Sequence, residues 1–570
     1  MAHNWKQDLF CVFVIKQQRY ILFVLAVLAS PIKSLILSGM LQEQLLVVIS
    51  LLFGISMLTM LSQKLKISYP ILLVISGLLI SLIPGMPDIT LAPDLVFLIF
   101  LPPLLYAAAW NTSWKDFWKL KRPISLLSIG LVFFTSATVA VVAHAIIPDF
   151  SLALGFLLGG IISPPDAVAA TSVLQGLKVP KRVVTILEGE SLVNDAASLI
   201  VFRFALAAII TGQFHLGEAA KNFALAAVMG IVIGVAIAFI VYQIHRFFPT
   251  TPAIDSAITL ITPYIMYICA EHFHFSGVLS VVSGGLFLTF RSSELFSYES
   301  RLSINGFWET LIFLLNGFVF ILIGLQLPVI VSGLGNYSVW EAILYGVLIS
   351  LVIIVVRLAW VYPAAFIPRW LFKNIRNSEP KPNLKSIFLV GWSGMRGVVS
   401  LASALAIPLT LAGNPFPHRN LILFITFVVI LITLVLQGLS LKPLIRLLKF
   451  DGDEKESEKF KTLALRIRLA ESALAYMDTN YPEETQNHDT YKRVRDRYER
   501  MIEITKRKLE NGEDNQDDSS FLPHYRQMLI ELVHIRRREL NYFRHTGEFD
   551  EELIREREWE LDLEEARLKN

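Results

Sequence analysis

The sequence predicts an all-α polytopic membrane protein followed by a water-soluble helical tail. Three observations carry that prediction: the composition, the recurrence of bilayer-length apolar runs, and the alternation of positive charge between them. Of the 570 residues, 54% are hydrophobic and only 17% charged, against about 25% charged and 45–50% apolar in a soluble globular chain. The formal charge of +3 hides an asymmetry. Residues 451–570 hold 30 acidic and 22 basic groups, leaving 18 acids and 29 bases in the first 450. This composition excludes a wholly soluble, a disordered and a collagen-like chain, and it divides the sequence into 1–39, a membrane domain 40–450 and a tail 451–570.

In chain order, the first 39 residues have three open readings. Tyr20–Ile36 is apolar but contains Pro31 and Lys33. It fits a fourteenth span with a cytoplasmic N-terminus, an atypical signal sequence, or a start at Met40 directly before the first clean span, the preferred reading. Apolar segments that approach the ~30 Å bilayer core then follow at 44–61, 69–85, 94–109, 124–147, 151–175, 183–212 and 220–243. Six more lie at 254–271, 277–290, 306–327, 339–365, 386–411 and 420–443. That makes about thirteen transmembrane helices, several of them short or broken by Gly and Pro.

Orientation comes from Lys and Arg in the short loops. Alternate loops carry Lys64/Lys66, Lys115/Lys119/Lys121/Arg122, Lys178/Lys181/Arg182, Arg246, Arg291/Arg301, Arg369/Lys373/Arg376/Lys385 and Lys442/Arg446/Lys449. The intervening loops, such as Pro84–Asp94 and Ser332–Ser338, have almost none. The expected protein is therefore a multi-pass protein of the plasma (inner) membrane with a cytoplasmic tail. Segments 458–477, 490–511, 522–546 and 550–568 of the tail have helical apolar spacing, with Asn511–Ser520 as a polar linker. The bland reading is solvated helices; the sharper one is a regulatory or dimer-supporting module.

Several function classes fall away. Cys11 and Cys269 supply no zinc framework, and Glu271, His272 and His274 read as a wet interfacial turn. No Walker A, HExxH or suitably placed GxGxxG sequence occurs, so nucleotide-driven pumping is not expected, nor is a cofactor or a nucleic-acid partner.

What remains unexplained is charge inside apolar segments. Glu188, Glu190, Asp195 and Arg203 fall within 183–212, and an Asp or Arg at a helix centre costs roughly 2.5–3.5 kcal/mol on translocon scales. Asp195, Asp166 and Arg396 each lie near the middle of a separate segment, at the depth where secondary transporters place their ion sites. At about 100° per residue, Ser191 lies about 40° and Glu188 about 20° from Asp195. Glu190 points about 140° away, toward the face of Asn194. One face thus offers oxygen ligands, and the other offers Glu190 as a partner for a distant cation, for which Arg396 is the natural candidate. Gly159, Gly160, Pro164 and Pro165 precede Asp166, while Gly391, Gly394 and Gly397 surround Arg396. Glycines for tight packing would explain Gly159 and Gly160 alone. Gly and Pro beside each midplane charge predict broken helices and inverted repeats around a central ion site.

These residues carry a resemblance. Gly189 and Glu190-Ser191-Leu192-Val193-Asn194-Asp195-Ala196 resemble the GESLxND signature of the sodium/proton-exchanger branch of the monovalent cation:proton antiporters. Gly394-Met395-Arg396-Gly397 is similar to that family's G-x-R-G segment, Ser163-Pro164-Pro165-Asp166-Ala167-Val168-Ala169 to its Asp-centred break, and Phe100-Leu101-Pro102-Pro103 to its FLPP segment. The match covers roughly 40–445, with all four motifs in the family's order. The resemblance implies a homodimer of thirteen-helix protomers in which Asp195 alternately holds a cation and a proton. Asp166, Ser191 and Asn194 join it at the Na⁺ site, Glu190 and Arg396 form a structural ion pair, and Glu188 and Pro165 are accessory. Asn194 in place of a second Asp resembles the electroneutral branch. Some members carry an acidic residue after FLPP where this chain has Ala107, Ala108 and Ala109, and many read Asp-Pro where it has Pro165-Asp166-Ala167.

The implied activity is secondary active exchange of Na⁺ (or K⁺ or Li⁺) for H⁺, serving pH and sodium homeostasis. Hard oxygen ligands suit a hard alkali cation, and one carboxylate serving both ions makes binding competitive. A cation channel and an intramembrane aspartyl protease are the rivals. The protease would need a GxGD-type context that neither Asp166 nor Asp195 has.

Overall fold

The computed structural model describes residues 41–83, 96–174, 177, 179–212, 216–335, 337–378, 382–411, 413–448, 453–511, 516–546 and 549–569. The readings of residues 1–39 and of the Pro84–Asp94 loop lie outside this set. The chain divides into two compact units, Met1–Phe450 and Asp451–Asn570.

Among its described residues, the regular structure of the first unit is helical apart from a two-residue antiparallel pair, Thr410–Leu411 with Asn414–Pro415. Its principal helices are α1 (Leu41–Leu65), α2 (Tyr69–Ser81), α3 (Leu101–Asn111), α4 (Lys121–Ile146), α5 (Leu152–Ile162), α6 (Ala167–Leu174), α7 (Lys181–Thr211) and α8 (Leu216–Phe247). They continue with α9 (Pro252–His272), α10 (Gly277–Phe290), α11 (Tyr298–Leu325), α12 (Val339–Leu371), α13 (Leu384–Trp392), α14 (Val398–Leu405), α15 (Arg419–Ile432) and α16 (Gly438–Leu448). Among the described residues, nine spans are long and apolar enough to cross a membrane, and each falls on one of the expected segments. The segments expected at 69–85, 94–109 and 277–290 are shorter apolar helices. The segment expected at 386–411 is two half-helices, α13 and α14.

Helix ends follow local chemistry. The Ser151, Ser276 and Ser297 hydroxyls accept from the backbone N–H three residues on, and Ser338 with Glu341 forms a reciprocal capping box; each satisfies a donor that the first turn leaves open. Gly212, at φ 70°, closes α7 in the left-handed conformation that Gly tolerates best.

Two large hydrophobic clusters build the unit, beside a small group of Val132, Ala197 and Val201. The larger joins α2, α5, α11, α12 and α15 through residues such as Leu73, Leu157, Phe320, Ile353 and Ile425. The smaller joins α3, α8, α9, α10 and α11 through Tyr106, Ala238, Met266, Val281 and Trp308. Gly159 and Gly160 are packing glycines: a Cβ on Gly159 would lie 2.6 Å from Ser136 Cα on α4, and one on Gly160 2.9 Å from Phe202 N on α7.

The tail unit consists of paired helices. α17 (Asp453–Asn480) lies against α18 (Asp489–Asn511), with Arg495 2.5 Å from Asp478 and Lys506 3.3 Å from Glu471. α19 (Gln516–Thr546) lies against α20 (Glu551–Lys569), where Arg536 reaches Glu564 at 2.7 Å and Arg537 reaches Glu565 at 2.7 Å. Of the linker expected at Asn511–Ser520, the described residues from Gln516 onward belong to α19.

Candidate functional site

The site is built where two interrupted helices meet. Ser163 and Pro164 each precede a proline, which disfavours the helical conformation, and Pro164 and Pro165 have no N–H to donate. The helix therefore stops at Ile162 and restarts at Ala167. Asp166 caps the restart: its Oδ1 accepts from Val168 N–H at 2.8 Å. Its own N–H leaves the helix altogether and donates to Met395 O at 2.7 Å. Met395 lies in the second interruption, the stretch between Trp392 and Val398. The two breaks are thus joined through the backbone, and each satisfies polar groups that the other's lost turn exposes.

α7 runs past this junction. Asn194 Nδ2 donates to Pro165 O at 2.9 Å, and Ala167 N–H donates to Ser191 Oγ at 3.3 Å. A cavity of about 70 Å³ opens beside it, lined by Asp166, Asp195, Ser191, Pro165, Asn316 and Ser400, with Leu101, Leu104, Leu105 and Ala108 of α3 as an apolar wall. Asp195 is only 7% exposed. The cavity lies where the two clusters meet, since Leu101, Leu105 and Leu192 belong to one and Val398 and Ala402 to the other. Ala108 lines it without an oxygen ligand.

Of the sequence-derived residues, Asp195, Asp166, Ser191 and Pro165 come together here. Asn194 does not line the cavity; it is fully buried and ties α7 to the first break. Glu188 shares the face of Asp195 but sits two turns along α7, half-buried and away from the cavity.

The pairing of Glu190 with Arg396 is corrected. Glu190 is held by Arg357 of α12 in a two-pronged bridge, Nη1 to Oε1 at 2.6 Å and Nη2 to Oε2 at 2.8 Å, with both side chains 1% exposed. Arg357 also donates to Val390 O from Nε at 3.3 Å and from Nη2 at 3.2 Å. The reason is directional. Glu190 points away from the cavity face, toward α12, whereas Arg396 lies in the second break. Arg396 instead donates from Nε to Ile162 O at 2.7 Å and from Nη1 to Gly394 O. It places a cation at the C-terminal carbonyl end of α5, where the helix dipole favours one. Gly394 has its own reason: a Cβ there would lie 2.4 Å from Arg357 Cδ.

Sequence reasoning missed Arg357, Asn316 and Ser400. Arg357 was findable, because it lies well inside the 339–365 segment and an intramembrane arginine is a functional hypothesis by default. Asn316 and Ser400 are neutral and carry no comparable signal. Arg203 pairs with Glu271 at 2.7 Å, with both partly exposed and away from the cavity. Glu271 also accepts from Gly277 N–H. Among the described residues no group of three His, Cys, Asp or Glu side chains is placed to hold a metal ion.

A family profile described as "Sodium/hydrogen exchanger, transmembrane" matches residues 47–447. A Bacillus pumilus protein named a sodium, potassium, lithium and rubidium/H(+) antiporter is 34% identical over 419 residues, which cover 72% of this chain and 61% of that protein. This chain therefore spans about three fifths of that relative. A Mycobacterium tuberculosis protein, named an uncharacterized Na(+)/H(+) exchanger, is 30% identical over 92% of this chain and 96% of its own length. The solved structure of the sodium proton antiporter MjNhaP1 from Methanocaldococcus jannaschii covers 70% of this chain and 99% of its own, with a TM-score of 0.56 at 19% identity, a likeness of fold. The profile match across the interrupted helices, α7 and Arg357, together with these relatives, leads to one conclusion: the chain belongs to the sodium/hydrogen exchanger family of multi-pass membrane transporters.

Proposed function

We propose that the protein exchanges Na⁺, with K⁺ or Li⁺ as alternatives, for H⁺ across the plasma membrane by alternating access, with Asp195 as the shared site. The observation that carries this reading is the meeting of Asp195, Asp166 and Ser191 around one cavity beside two interrupted helices. Oxygen ligands suit an alkali cation, which is here the cargo. Burial disfavours an unpaired carboxylate, so either a proton or a cation neutralises the group, and competition between them couples the two fluxes.

The remaining groups hold that geometry. Asn194 anchors α7 to Pro165 O, Arg396 caps α5, and the Glu190–Arg357 bridge fastens α7 to α12. Asn194 adds no titrating group beside Asp195, which supports a one-for-one electroneutral cycle. A homodimer, about thirteen transmembrane helices and a cytoplasmic tail belong to the same proposal, supported by the family and the loop charges.

The test is pH-dye quench recovery in proteoliposomes on adding Na⁺, K⁺ or Li⁺, with Asp195→Asn beside wild type. The reading expects cation-dependent recovery in wild type and none in the variant. Recovery by Asp195→Asn would remove that residue from the centre, and an uncoupled cation conductance in wild type would make the protein a channel.

A further inference from the structure

Ser400 lines the same cavity as Asp166 and Asp195, from the opposite interrupted helix. The residue is 1% exposed, and its Oγ is buried with no hydrogen-bond partner among the described residues. A serine inside a helix can return its hydroxyl to the carbonyl three or four residues back, although the buried Ser128 and Ser136 hydroxyls do not. Ser393 does so to Leu389 O at 2.7 Å, Ser350 to Gly346 O at 2.6 Å and Ser440 to Leu436 O at 2.6 Å. Ser400 has no such carbonyl, because it is the third residue of α14. The positions three and four before it, Gly397 and Arg396, lie in the unwound stretch. The interruption that admits Asp166 therefore also frees this hydroxyl, on a residue that lines the cavity of the two carboxylates.

We propose that Ser400 Oγ is a direct ligand of the transported cation and sets cation affinity and selectivity. The inference rests on the exchange reading given above. A proton needs one carboxylate oxygen, whereas an alkali cation stripped of water needs several oxygens around it. A neutral hydroxyl opposite Asp166 and Asp195 supplies one without adding charge, so it strengthens the cation-bound state and leaves the proton-bound state unchanged. Small cations lose most when a ligand is removed, so the effect falls from Li⁺ through Na⁺ to K⁺.

The experiment uses the full chain in proteoliposomes, with Ser400→Ala, Ser400→Cys and Ser400→Thr compared with wild type in Li⁺, Na⁺ and K⁺. Ser400→Ala is expected to raise half-saturating Na⁺ and Li⁺ about tenfold and K⁺ less, with the maximal rate preserved. Ser400→Cys keeps the volume but offers a soft sulfur, and is expected to behave like Ala; Ser400→Thr keeps the hydroxyl and is expected to restore affinity. At low Na⁺ the pH profile of Ser400→Ala moves to higher pH and returns when Na⁺ is raised tenfold, a restoration that a packing defect would not give. Wild-type half-saturation for all three ions in both Ala and Cys variants overturns the proposal, as does a lost maximal rate at unchanged half-saturation. An Asp195→Asn arm separates the two claims. If it exchanges, the reading of the site fails; if it is silent while Ser400→Ala is indistinguishable from wild type, only the ligand role fails.

Discussion

Gly397 lies against the carboxylate of Asp166 so closely that a Cβ at residue 397 would stand 1.9 Å from Asp166 Oδ2. No side chain fits there without moving the carboxylate. The glycine is a matter of space for a neighbour on another helix. Gly397→Ala is therefore expected to displace Asp166 and abolish exchange, with a stability loss of about 1–3 kcal/mol as for other overpacked sites. Transport assay and thermal unfolding of the same preparation check it. Wild-type exchange by this variant would mean that the two breaks are not in contact.

Arg357→Ala leaves Glu190 buried without its partner, a loss of roughly 3–5 kcal/mol for a broken buried pair. Glu190→Gln combined with Arg357→Gln should be better folded than either single change. The matching combination of Glu190→Gln with Arg396→Gln should show a smaller coupling, because Arg396 donates to Ile162 O and Gly394 O and not to Glu190. Two double-mutant cycles on thermal stability decide between the partners. Coupling between 190 and 396 with none between 190 and 357 would reverse the assignment.

Asn194→Ala removes the donor to Pro165 O and leaves a buried carbonyl unsatisfied, a loss of about 1–3 kcal/mol. The expected result is a less stable protein whose exchange, where it survives, stays electroneutral. With cation and pH gradients fixed, a valinomycin-set potential of about 100 mV, worth roughly 2.3 kcal/mol per charge moved, should not shift the Na⁺ endpoint of wild type. A shifted endpoint would place a second titrating group in the cycle.

In the tail, hydrogen bonds from Lys569 and then Arg537 hold the Glu565 carboxyl down at about 2. A depressed folded value means that the stabilisation is complete above the ordinary carboxyl range and disappears as pH falls through about 2. The stability difference between wild type and Glu565→Gln should accordingly be constant near neutrality and shrink below about pH 4.5. Pulse proteolysis with a neutral protease and with pepsin reads both ends. A difference independent of pH would mean that the α19–α20 ion pairs do not form.

The legible part of this protein is what periodicity and charge can encode. Apolar runs locate the helices, because a bilayer leaves the backbone few other choices. Pro164, Pro165 and the glycines beside Arg396 announce the two breaks. Direction across space is not encoded in the same way. The angle between Glu190 and Asp195 on one helix shows that they point apart, yet it does not say which helix stands on the far side. Depth alone favoured Arg396, while packing selects Arg357. Ser400 is less legible still, since its chemistry depends on a hydrogen bond that it does not make.

The ties that assemble the site also set an order in time. Arg396 reaches Ile162 across 234 residues and Arg357 reaches Glu190 across 167. When the ribosome has made the first interrupted helix and α7, their partners are still unsynthesised. A carboxylate and an open row of carbonyls must then wait for a guanidinium from the second half of the chain. The first half is therefore incomplete at the lipid boundary during biogenesis, and the site closes only as the last third of the membrane unit arrives. Truncations before Arg357 should be recognised by quality-control proteases, whereas truncations after Leu448 should not.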